Sequence, residues 1–96
     1  MTMEERATIE VINSISNHAD YFTRYYGSNG TYDENVFKEI TNYARENLFE
    51  YADQYGKNFC ASVTGALLEF GYMVNAIFDD NDRLSSLIVN GFEFKR

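Results

Sequence analysis

Apolar residues recur every three or four positions through the first 26 residues: Ile12, Ile15, Ala19, Phe22 and Tyr26. At 3.6 residues per turn this spacing gathers them on one face, which predicts an amphipathic helix with that face in the core. Thr2 and Glu5 have the spacing of a capping box and Gly27 follows the last apolar residue, so the helix is expected over about residues 3–26. GSNGT, from Gly27 to Thr31, is the obvious flexible break. After it the same signals repeat. Thr31 and Glu34 form a second capping-box pattern, and Asp33 adds negative charge where free N–H groups favour it. Phe37, Ile40, Ala44, Leu48, Tyr51 and Tyr55 then follow helical spacing. Gly56 stands where a left-handed terminating residue belongs, predicting a helix over about 32–55. Phe59, Val63, Ala66, Leu67 and Phe70 predict a third helix over about 59–70, with Asn58 as cap and Gly71 as stop; Gly65 works against it.

The period changes at Tyr72. Tyr72, Val74, Ala76 and Phe78 alternate with Met73, Asn75 and Ile77, the pattern of a strand over about 72–78. Asp79 to Asp82 makes a turn. A second strand is expected over about 84–89, Asn90-Gly91 is a two-residue hairpin signal, and Phe92 and Phe94 share one face of a strand over about 92–95. The expectation is one α+β domain, with three N-terminal helices packed on one side of a small C-terminal three-stranded antiparallel meander.

Composition agrees with a globular chain. Its 96 residues are 45% hydrophobic and 17% aromatic, too apolar for a disordered acidic tail. No stretch is long enough to span a bilayer, and the acidic MTMEERATIE start lacks the positive flank and apolar run of a signal peptide, which points to a cytoplasmic protein. The net charge of −7 argues against direct binding to nucleic acid or anionic membrane and makes a basic partner the better fit. That charge is uneven: residues 1 to 56 carry ten acids and four bases, whereas residues 57 to 96 carry five and four.

Few residues suggest catalysis. Cys60 is the single cysteine and His18 the single histidine, and no local signature pairs them, so a packing role is expected for Cys60, and a surface or half-buried position for His18 at the edge of the first helix's apolar stripe. A single cysteine also excludes an intrachain disulfide and a multi-thiolate zinc site. DDND, Asp79 to Asp82, lacks the mid-loop glycine and closing glutamate of a calcium loop and reads as a solvated turn. The glycines fit no dinucleotide or phosphate-loop fingerprint, so no cofactor, no metal and no enzymatic activity are expected.

The second helix offers a different kind of candidate. Rotation by about 100° per residue puts Glu39, Glu46, Glu50 and Asp53 in a band roughly 60° wide, nearly opposite the apolar stripe. They span about 21 Å at separations of roughly 4 to 10 Å, comparable with charges along a nucleic-acid backbone. Asn42 falls on the same flank and Tyr43 stands beside the band; Tyr21, Tyr25 and Tyr32 also lie on or near expected surfaces. These features suggest an inhibitor or regulator presenting carboxylates and tyrosine to a basic nucleic-acid-binding protein. In size, acidity and lack of catalytic residues the chain resembles the small inhibitors that phages and mobile elements use against restriction or CRISPR machinery, some of which imitate DNA. The resemblance is one of character, with no aligned motif, and transfers no residue roles. The alternatives are a homodimeric assembly module, joined through helical tyrosines or the edge of the sheet, and a small enzyme using Cys60.

Overall fold

Thr2 and Glu5 exchange the two hydrogen bonds of a capping box: Glu5 N–H donates to Thr2 Oγ1 at 3.0 Å and Thr2 N–H to Glu5 Oε1 at 3.1 Å. From this cap runs α1 (Met3–Gly27). The computed structural model describes residues 1–27 and 33–96, and only the backbone of 25–27. The break at Ser28 to Thr31, the expected cap Thr31 and the side chains of Tyr25, Tyr26 and Tyr32 therefore lie outside the described residues.

Asp33 is the N-cap of α2 (Glu34–Tyr55): its backbone is extended, and its carboxylate accepts from Asn35 N–H at 2.7 Å. Gly56 ends α2 with φ +85°, a conformation that favours glycine, and the same residue opens α3 (Lys57–Glu69). The third helix thus begins two residues before the expected start, and Asn58 lies inside its first turn rather than capping it. At its end Tyr72 N–H reaches Leu67 O at 3.1 Å and Gly71 N–H reaches Leu68 O at 3.0 Å, with Gly71 at φ +93°. This is a Schellman closure. Phe70, the C-cap before this closure, is 66% exposed where the helical spacing placed it in the core.

Three strands follow, β1 (Val74–Phe78), β2 (Leu84–Val89) and β3 (Phe92–Lys95), in the order β1-β2-β3 with both pairings antiparallel. Tyr72 and Met73 precede the first strand, which is shorter than its alternating pattern. Asn90 at φ +50° and Gly91 at φ +87° form the tight β2–β3 turn that the sequence specifies. Between β1 and β2 the register shifts: Ile77 pairs with Ser86 but Phe78 with Leu84, leaving Ser85 unpaired. The bulge returns Leu84 to the inner face, although by parity it belongs with Ser86 and Ile88 on the outer one.

The architecture is α+β, three helices followed by an antiparallel meander. Helices α1 and α2 run antiparallel, since His18 meets Thr41 and Glu10 meets Tyr51. One buried cluster joins all the layers: Val11 and Ile15 of α1, Ala44 and Leu48 of α2, Phe59, Val63 and Leu67 of α3, and Leu87, Val89 and Phe94 of the sheet. Relative to the expected stripe of α1, burial is rotated toward Ala7, Val11, Ser14 and His18, leaving Ile12 only half-buried, because α1 packs on both other helices. Among the described residues no helix is long and apolar enough to cross a membrane.

Candidate functional site

Burying Ala44, Leu48, Phe49 and Ala52 fixes the rotation of α2 about its axis. The opposite side must face water, and there Glu39, Asn42, Glu46 and Glu50 are exposed. Among the described residues Glu39, Glu46 and Glu50 form no hydrogen bond or ion pair with the rest of the chain. Tyr43 flanks the row, 57% exposed, with its hydroxyl 3.4 Å from Glu10 Oε1 across the α1–α2 seam. Two helical turns on, Tyr51 donates to Glu10 Oε2 at 3.2 Å; this bond, reinforced by the charge of Glu10, raises the phenol pKa. The tyrosine flank of α2 is therefore stitched to α1, and the carboxylates stand clear of it.

Asp53 has a different fate. Arg83 donates from Nε to Oδ1 at 3.1 Å and from Nη2 to Oδ2 at 2.9 Å. Arg96 adds a second fork, with Nη1 to Oδ2 at 2.9 Å and Nη2 to Oδ1. Arg96 is itself fixed, donating from Nε to Leu84 O at 2.7 Å and lying 4.8 Å above the ring of Phe49. The hydrogen bonds from Arg83, then those from Arg96, hold the Asp53 carboxyl far below the ordinary range. Asp53 thus clamps the end of α2 to the start of β2 and the end of β3. The row open to solvent shortens to Glu39, Glu46 and Glu50, about 17 Å along the helix.

Tertiary packing gives the conventional catalytic residues other environments. His18 is 1% exposed and enclosed by rings, 4.4 Å from Phe92, 4.7 Å from Phe94 and 5.3 Å from Phe37, although its place at the edge of a stripe suggested a surface or half-buried position. The Thr41 hydroxyl donates to Phe37 O at 2.9 Å, so at its 2.9 Å contact with His18 it is placed to accept from Nε2–H. Burial lowers the imidazole pKa from 6.5 to about 4. Cys60 is 4% exposed, and burial, followed by the charge of Asp53, raises its thiol pKa. Both changes run opposite to what an activated nucleophile needs.

In the DDND turn Asp79 Oδ1 accepts from the N–H groups of Asn81 at 2.9 Å and Arg83 at 3.0 Å, so its carboxylate organises its own loop. Among the described residues no group of three or more His, Cys, Asp or Glu side chains is placed to hold a metal ion. No protein-family model, curated protein or solved structure matches this chain.

Proposed function

We propose that this is a small acidic binding protein, an inhibitor or regulator that presents Glu39, Glu46 and Glu50, flanked by Asn42 and Tyr43, to a basic nucleic-acid-binding protein. The supporting observation is the contrast within one helix: three exposed carboxylates without an internal partner among the described residues, beside a fourth that two arginines neutralise. A row of fixed charges on a rigid helix speeds encounter with a basic groove, and an exposed tyrosine beside it adds contact area at small entropic cost. The mechanism is occupation of a phosphate-binding channel, with the restriction or CRISPR type of enzyme as the class of target.

The test is competition. Purified restriction and CRISPR-type nucleases are titrated with the protein and with its Glu46→Lys/Glu50→Lys variant while displacement of labelled DNA is followed at two salt concentrations. The wild type should displace DNA from a member of the panel, less effectively at high salt, and the double variant should lose at least about a hundredfold in affinity. Equal displacement by both proteins, or none by the wild type across the panel, refutes the proposal.

A further inference from the structure

The two edges of the sheet are protected differently. β3 carries Glu93 and Lys95, paired at 3.8 Å on its outer face, and is anchored at its end by Arg96. β1 lacks the charged and proline residues that keep an edge from pairing, for residues 71–78, GYMVNAIF, include neither. Met73 O accepts from Asn90 N–H at 2.8 Å, and Asp79 N–H donates to Arg83 O at 2.9 Å, so residues 73 and 79 turn their backbone toward β2. By the alternation of an antiparallel ladder, Asn75 and Ile77 do the same, and the N–H and C=O groups of Val74, Ala76 and Phe78 point away from the sheet. Among the described residues none of these three makes a backbone–backbone hydrogen bond outside the ladder of the sheet.

Packing is unfinished along the same edge. The inward side chains of β1, Val74, Ala76 and Phe78, are only half-buried, whereas Leu84, Leu87, Val89 and Phe94 on β2 and β3 are at most 2% exposed. Met73 and Ile77, on the outer face, are 78% and 42% exposed, and Phe70, just before the strand, is 66% exposed.

The geometry points to β1 as the pairing edge of a homodimer, in which two copies join antiparallel about a twofold axis at Ala76 and make one six-stranded sheet. The occupant is a second copy because the edge is complementary to itself. Ala76 faces Ala76, Val74 faces Phe78 and Asn75 faces Ile77, so three outward residues per strand supply about six backbone hydrogen bonds with none left over. Inner apolar residues meet inner apolar residues. Two chains of charge −7 also repel least where neither carries a charge, and the strand is such a place. Phe70, Met73 and Ile77 add exposed apolar side chains beside the strand. This inference stands apart from the role of the carboxylate row, which lies on α2.

Sedimentation velocity of the full chain across a dilution series up to about 100 μM provides the test, at low salt and near 1 M. The wild type should sediment as a species of twice 11.1 kDa, and the dimer should persist in salt because its contacts are apolar and main-chain. Ile77→Lys places a charge on an exposed outer position and should shift dissociation at least tenfold toward monomer while leaving helical circular dichroism unchanged. Ala76→Pro, which removes an outward N–H, should do the same. A wild type that stays monomeric at 100 μM overturns the inference and leaves the edge to a strand of another protein; a dimer indifferent to both substitutions overturns it by showing a different interface.

Discussion

At the C-terminal turn of α2 Asp53 meets two guanidinium forks, whereas Glu39, Glu46 and Glu50, on the same helix and in nearly the same angular band, meet no partner among the described residues. The difference arises from where the sheet ends. Arg83 enters β2 and Arg96 leaves β3 beside the last turn of α2, so the carboxylate nearest that corner is drawn into holding the fold. The three behind it remain in water. A periodic row of like residues is thus a local pattern whose members can take separate tasks once other elements arrive.

Substitutions that separate the inner, corner and outer positions of α2 sharpen this contrast. The largest effect belongs to the inner face: Leu48→Ala should lower the unfolding free energy by about 3 kcal/mol in urea denaturation, because Leu48 is 1% exposed and its loss leaves a cavity among three helices and a sheet. Nearly as large is the acid response of His18 in its ring-lined site. Its folded pKa lies near 4 and its ordinary value at 6.5, so within that window the unfolded chain binds a proton that the native one refuses. Stability should therefore fall as pH drops from 6.5 to 4, by at most about 3 kcal/mol, and the slope should flatten in His18→Gln.

The corner comes next. Asp53→Ala should cost about 1–2 kcal/mol, reduced by salt, since the carboxylate is about a third exposed. Its folded pKa is depressed, so the contribution is present above the unfolded carboxylate value near 4 and disappears below it, under the His18 window. A loss comparable with that of Leu48→Ala would show that the clamp holds more than one corner. The outer row should give the smallest effect. Glu46→Lys/Glu50→Lys should move the thermal midpoint by no more than about 0.5 kcal/mol equivalent, and a larger fall would place those side chains in the folding machinery beside Asp53.

Much of the architecture was legible because it rests on short-range chemistry. The Thr2–Glu5 cap, the left-handed glycine at Gly56, the Asn90-Gly91 turn and the alternation of β1 are each set by residues within a few positions of one another. The outward orientation of Glu39, Glu46 and Glu50 was legible too, since helical geometry places them opposite Leu48. Three features were not. The Asp53 clamp depends on partners 30 and 43 residues away. The burial of His18 depends on Phe92 and Phe94, which a helix-only reading of residues 2 to 27 does not see. The inward turn of Leu84 depends on an unpaired Ser85 that shifts the parity of β2.

By itself, then, the sequence determined the elements, their order and which side of each is apolar, because periodicity and capping act over three to seven residues. Only the tertiary structure decided which polar groups the fold consumes, because an ion pair or a ring-lined imidazole needs elements distant in the chain to meet at one point. Asp53 and His18 were taken inward by that meeting. Glu39, Glu46, Glu50 and the bare edge of β1 were left facing out.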